Sequence, residues 1–116
     1  MPTAVAIILL LTPIVAIAAP PQSAADFFQI CQALSKKIEG SSLDIFNEGQ
    51  CAGIIASLRI MGPHLEPPLR FCTPSTVTNG QVNLIILKHV DGNPARAGEP
   101  FILLATEALR ATYPCR

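Results

Sequence analysis

The residues with reactive side chains are few: two histidines, four cysteines and a scatter of serines. His64 and His89 are 25 residues apart, and neither has a carboxylate at ligand spacing. A metal site is therefore not expected. The serines sit in no Gly-x-Ser-x-Gly elbow and in no Ser/His/acid pattern. Cys31, Cys51, Cys72 and Cys115 are separated by 19, 20 and 42 residues, so no C-x-x-C pair offers a zinc ribbon or a thioredoxin-like redox site. An even cysteine count in a short exported chain reads instead as two disulfides. Such pairing removes any free thiol nucleophile. These residue types predict no enzyme and no cofactor, which leaves binding as the function to look for.

Export itself is read from the first residues. Ala4 to Ala18 is uncharged and almost wholly apolar, and it ends Ala16-Ile17-Ala18, a small-x-small cleavage site. The segment is about 15 residues long and interrupted by Pro13, short of the ~20 needed to span a bilayer. The n-region is off-pattern, carrying only its α-amino group. The chain thus divides into a signal peptide at 1–18, cleaved after Ala18, and one domain at 19–116 in the periplasm. A retained N-terminal anchor is the rival reading. All eight basic and eight acidic residues lie outside the leader, so the domain is near neutral. Nucleic acid and anionic membrane both call for a clustered positive face, and neither is expected as partner. A protein partner is compatible with this balance.

Hydrophobic spacing places the elements. Ser23-Ala24-Ala25-Asp26 offers an N-cap oxygen with a carboxylate three residues on. Phe27, Ile30, Cys31, Leu34 and Ile38 then recur at helical spacing, and Gly40 stops this first helix after Lys36 and Lys37. A second helix runs from about Leu43 to Met61, before Gly62-Pro63. It carries a small-residue stripe of Gly49, Ala52, Gly53 and Ala56, and the cost of glycine in a helix predicts close packing of another backbone at Gly49, Gly53 and Ala56. Met61 to Pro74 is too rich in proline for a long helix. Thr78-Asn79-Gly80-Gln81 is a capping box, in which Thr78 and Gln81 satisfy each other's amides. The helix it opens buries Val82, Ile85, Ile86, His89 and Val90, with His89 in the last turn, where the dipole favours its cation. Asp91-Gly92-Asn93-Pro94 breaks it. Pro100 sits in the first turn of a fourth helix with Phe101, Leu104, Ala105, Ala108 and Leu109 inward, ending at Pro114. The fold class is all-α, a small disulfide-stapled four-helix domain.

Helix geometry pairs the cysteines. A short connection near Ser42 makes the first two helices antiparallel. Cys31 lies about 16 Å before that turn and Cys51 about 14 Å after it, at 1.5 Å per residue. Cys72 precedes the third helix and Cys115 follows the fourth, and antiparallel neighbours bring those ends together. The pairs are then Cys31–Cys51 and Cys72–Cys115. In the loop-entropy model they stabilise by about 3 and 4 kcal/mol, a large share for a domain with six aromatic side chains.

Several motifs together resemble the Rap/Tai family, periplasmic immunity proteins that neutralise cell-wall amidases delivered by type VI secretion. They are Cys51-Ala52-Gly53 before Ile54-Ile55, Cys72-Thr73-Pro74, Val77-Thr78-Asn79-Gly80-Gln81, and Ala108-Leu109 with Pro114-Cys115 at the end. The family commonly has an aromatic after the second-helix glycine and another glycine a turn later; here Ile54 and Ser57 stand there. Each match is a cap, a staple or a packing residue, so it speaks for fold more than for a contact surface. The resemblance implies a binding module that blocks a peptidoglycan amidase. Two other readings stay open: an envelope interaction protein without a dedicated toxin, and, more weakly, an apolar-ligand carrier. A second copy of the chain is a further candidate partner, as a homodimer.

Two loops are candidates for the partner interface. Met61 to Arg70 carries His64, Glu66 and Arg70 among Leu65 and Leu69, and its prolines lower the entropy cost of one shape. Asp91 to Gly98 is the second, with Asp91, Asn93 and Arg96.

Overall fold

Four α-helices form where the hydrophobic spacing places them: α1 (Ala24–Lys36), α2 (Ser42–Met61), α3 (Asn79–Asp91) and α4 (Phe101–Thr112). The computed structural model describes residues 23–36 and 42–116. The leader at 1–18 with its cleavage site, the Pro20-Pro21 linker, and the stop at Lys37, Ile38 and Gly40 lie outside the described residues. Among the described residues there is no strand, only an isolated antiparallel bridge between Ser23 and Pro100.

Caps set the helix starts. The Asp26 amide donates to Ser23 Oγ at 3.1 Å, and the Ser23 amide points back to Asp26 Oδ2 at 3.4 Å. The same reciprocal arrangement opens α3: Gln81 N donates to Thr78 Oγ1, and Thr78 N donates to Gln81 Oε1 at 2.8 Å. Pro100 is the N-cap of α4 rather than part of its first turn, and its carbonyl accepts from Leu103 N.

The first helix is the hub, packing on α2, α3 and α4, while α3 and α4 pair with each other. Phe27, Cys31, Cys51, Ile55, Phe71, Val82, Ile86, Leu104, Ala105 and Leu109 are fully buried. The Phe27 ring stacks on Phe101 with centroids 5.1 Å apart, tying α1 to the start of α4. Both disulfides are as the helix geometry predicts: Cys31–Cys51 with Cα atoms 5.2 Å apart, and Cys72–Cys115 at 5.0 Å. No cysteine is free.

Two buried residues are polar, Asn83 and Thr106, and Thr106 turns its hydroxyl onto the Ile102 carbonyl of its own helix. Asn83 is fully buried, donates Nδ2 to the Cys31 carbonyl at 3.0 Å, and places Oδ1 3.5 Å from Cys51 Sγ. It satisfies a carbonyl of α1 from α3 at the level of the first disulfide. The helical stripe of α3 passes over this residue because asparagine at an apolar register position looks like an interruption.

The small-residue stripe of α2 requires a correction. Gly49 and Gly53 are exposed, Ala56 is half-buried, and a Cβ added at either glycine would meet nothing within 4 Å. Among the described residues no backbone packs on them. The buried face of α2 is instead Cys51, Ile55 and Leu58, on the opposite side of the helix. The glycine that does carry a close contact is Gly62, where an added Cβ would lie 2.5 Å from the Phe71 ring.

Candidate functional site

The connection from α2 to α3 is fastened at several points. A single 3₁₀ turn, Gly62–His64, continues the end of α2. The Gly62 carbonyl accepts from both Leu65 N (3.4 Å) and Phe71 N (3.3 Å), drawing the two ends of the loop together over the buried Phe71 ring. Leu69 N donates to the Glu66 carbonyl at 2.8 Å, and Arg70 Nε donates to the Leu65 carbonyl at 3.0 Å. Two arginines that the hydrophobic pattern does not single out finish the work. Arg110 of α4 donates to the Pro68 carbonyl at the tip. Arg59 bridges the far side, donating to Asn79 Oδ1 at 2.8 Å and the Pro74 carbonyl at 3.1 Å.

The result is a fastened backbone with exposed side chains. Pro63, His64, Glu66, Pro67, Pro68, Leu69 and Arg70 are all exposed. No described residue forms a hydrogen bond or ion pair with the His64 ring or the Glu66 carboxylate, and only one nitrogen of the Arg70 guanidinium is engaged. One cation, one carboxylate, one imidazole and a 41 % exposed Leu69 stand on a proline-stiffened scaffold. Such a surface meets a partner without first losing backbone freedom.

The second loop differs. It passes through a short 3₁₀ turn, Pro94–Arg96, and its polar side chains are engaged within the molecule. Asn93 Nδ2 donates to the His89 carbonyl at 2.7 Å, closing the end of α3. Arg96 is bidentate twice over, with Nε and Nη2 on Glu99 and with Nη1 and Nη2 on Glu107 at 2.7 Å each. His89 Nε2 approaches the same Glu107 at 3.1 Å. The Arg96 hydrogen bonds, assisted by His89, hold the Glu107 carboxyl down at about 2 against the burial that would raise it. The Glu107 and Glu99 carboxylates in turn push the Arg96 guanidinium above its ordinary range. Of the three candidates there, only Asp91 is exposed and uncommitted. The structure thus brings His64, Glu66 and Arg70 together on one loop, engages Asn93 and Arg96 within the molecule, and leaves Asp91 exposed beside them.

Among the described residues no group of three or more His, Cys, Asp or Glu could hold a metal ion. None of the described helices is long and apolar enough to cross a membrane.

No curated protein and no solved structure gave a match to the chain. A family model does match, that of the Rap1a immunity proteins, over residues 23–115. That span takes in all four helices, both disulfides and both loops, and the chain belongs to the Rap1a immunity protein family.

Proposed function

We propose that the protein binds and inhibits a cell-wall amidase delivered by a type VI secretion system, using the Met61–Arg70 loop as its principal contact. Membership of an immunity family, which implies a protein toxin as partner, is the observation that carries the reading. The loop geometry supports it further. A rigid backbone presenting His64, Glu66, Leu69 and Arg70 suits insertion into a concave site. Shape is then preorganised, and the mixed charges supply specificity more than raw affinity. Nothing in this mode needs a catalytic group on the immunity protein.

The compartment follows from the same reading. Two disulfides form and persist in an oxidising space. A leader cleaved after Ala18 would deliver the domain to the periplasm, where an amidase meets peptidoglycan. The test is protection. Cells exporting an amidase toxin to the periplasm should lyse, and co-expression of this protein with its leader should prevent lysis. Co-expression without the leader should not. Lysis that proceeds equally in both cases contradicts the proposal.

A further inference from the structure

The two disulfides differ in how open they are. Cys31 and Cys51 are fully buried where α1, α2 and α3 meet, with the Asn83 side chain set against them. No thiol reaches them unless those helices part, and such an opening draws on the most stable part of a fold. Cys72 and Cys115 are half-buried and lie outside the helices, Cys72 ahead of α3 and Cys115 after α4. Cys72 also lines an open cleft of about 360 Å³, walled by Pro74, Thr112, Tyr113, Pro114 and Arg116. That is far more than the ~30 Å³ share of one water, so a thiol-bearing side chain fits. Arg116 is the one charged residue on its wall, and a guanidinium there attracts the thiolate that disulfide exchange requires.

We infer that Cys72–Cys115 is a thiol-exchange site for an external dithiol, the reactive group of a disulfide oxidoreductase, and that Cys31–Cys51 is closed to the same reagent. One thiolate of the reagent enters the cleft and attacks Cys72 Sγ. A mixed disulfide forms between the reagent and Cys72, the Cys72–Cys115 bond breaks, and its electron pair leaves with Cys115 as a thiolate, which takes a proton from water. The reagent's second thiol, deprotonated, then displaces Cys72. Two electrons pass to the protein, the reagent ends as a disulfide, and the protein ends with two thiols. The consequence falls on the α2–α3 loop. Phe71, buried against Gly62, directly precedes Cys72, so this staple closes the exit of Met61–Arg70 onto the end of α4. With the staple broken, the described contacts holding that exit to α4 are the Cys72 N to Tyr113 carbonyl and Arg110 to Pro68 carbonyl hydrogen bonds. Hydrogen bonds at such a surface open locally at low cost. The core keeps its own staple, so fastening of the loop depends on the redox state of one disulfide. The loop is the one proposed to meet a toxin, but neither this site nor its test involves the toxin.

Thiol exchange on the native full-length protein, as the cell processes it, tests this with dithiothreitol as the dithiol. Quenching with N-ethylmaleimide at intervals, followed by peptide mapping, should show Cys72 and Cys115 labelled at least about tenfold faster than Cys31 and Cys51. Reduced glutathione, quenched the same way, should leave its mixed disulfide on Cys72 and N-ethylmaleimide on Cys115. Hydrogen exchange after selective reduction should show the amides of Leu69, Phe71 and Cys72 losing protection while those of α1 keep theirs. The double variant Cys72→Ser with Cys115→Ser should give the same exchange pattern with no reductant and keep its helices. Labelling of Cys31 and Cys51 that keeps pace with the other pair overturns the inference. So does a mixed disulfide on Cys115, loop protection indifferent to the staple, or a double variant that loses its helices.

Discussion

Three glycines in or beside α2 have opposite meanings, and only contact distances separate them. Gly62 lies under the Phe71 ring, 2.5 Å from where a Cβ would sit. Gly62→Ala should lower stability by about 1–3 kcal/mol, the usual range for overpacking a tight site. Gly53 faces open space, and Gly53→Ala should raise stability by up to about 1 kcal/mol, because alanine is the better helix former. Thermal melts at low concentration check both signs. Glycine spacing in the sequence pointed to Gly49 and Gly53 as packing sites, since a cost implies a reason; no described residue packs on either. A second residue-scale prediction concerns Glu107. Its carboxyl is held near 2, below the ordinary 4.5, so its contribution is present above about pH 4.5 and fades as pH falls toward 2. The side chain is 44 % exposed, which limits the effect to under about 1 kcal/mol. The melting-temperature gap between wild type and Glu107→Gln should close as the pH is lowered from 5 to 2. A gap independent of pH would mean that the carboxylate's charge plays no part.

At the scale of elements, the helices were legible because their signals are local. Capping boxes at Ser23 and Thr78, apolar residues three and four apart, and breakers at Gly62 and Gly92 all act within a turn or two. Both disulfides followed from helix length and direction alone. Long-range hydrogen bonds were not legible, because nothing in the residues near Asn83 reports that its side chain will donate to the Cys31 carbonyl, 52 positions away. The same holds for Arg59 and Arg110, whose loop-pinning partners are 15 to 42 residues distant. Asn83→Ala should therefore cost more than about 1 kcal/mol by removing that buried hydrogen bond between α3 and α1 and emptying the space of its side chain. Thr78→Ala, at an exposed cap, should cost about 1 kcal/mol. Chemical denaturation of both variants ranks them, and an Asn83→Ala protein as stable as the wild type would remove the bridge from the account.

For the whole molecule, the four helices and two disulfides make a small rigid body whose polar surface is sorted by use. Arg96, Glu99, Glu107 and Asn93 brace the α3–α4 connection, while His64 and Glu66 stand free, and Arg70 keeps two of its three guanidinium nitrogens free, on a loop that the rest of the chain fastens. The sequence put the proline-stiffened Met61–Arg70 loop ahead of Asp91–Gly98, but which polar side chains are engaged was not legible, since engagement is a property of the fold. The measurement that reaches the central claim is the affinity of the protein for a type VI cell-wall amidase, made with the wild type and with His64, Glu66 and Arg70 all replaced by alanine. The account predicts tight binding by the wild type and a loss of at least tenfold, about 1.4 kcal/mol, in the triple variant at unchanged melting temperature. Wild-type binding that the triple substitution leaves within tenfold, or no binding to the amidase at all, would contradict it.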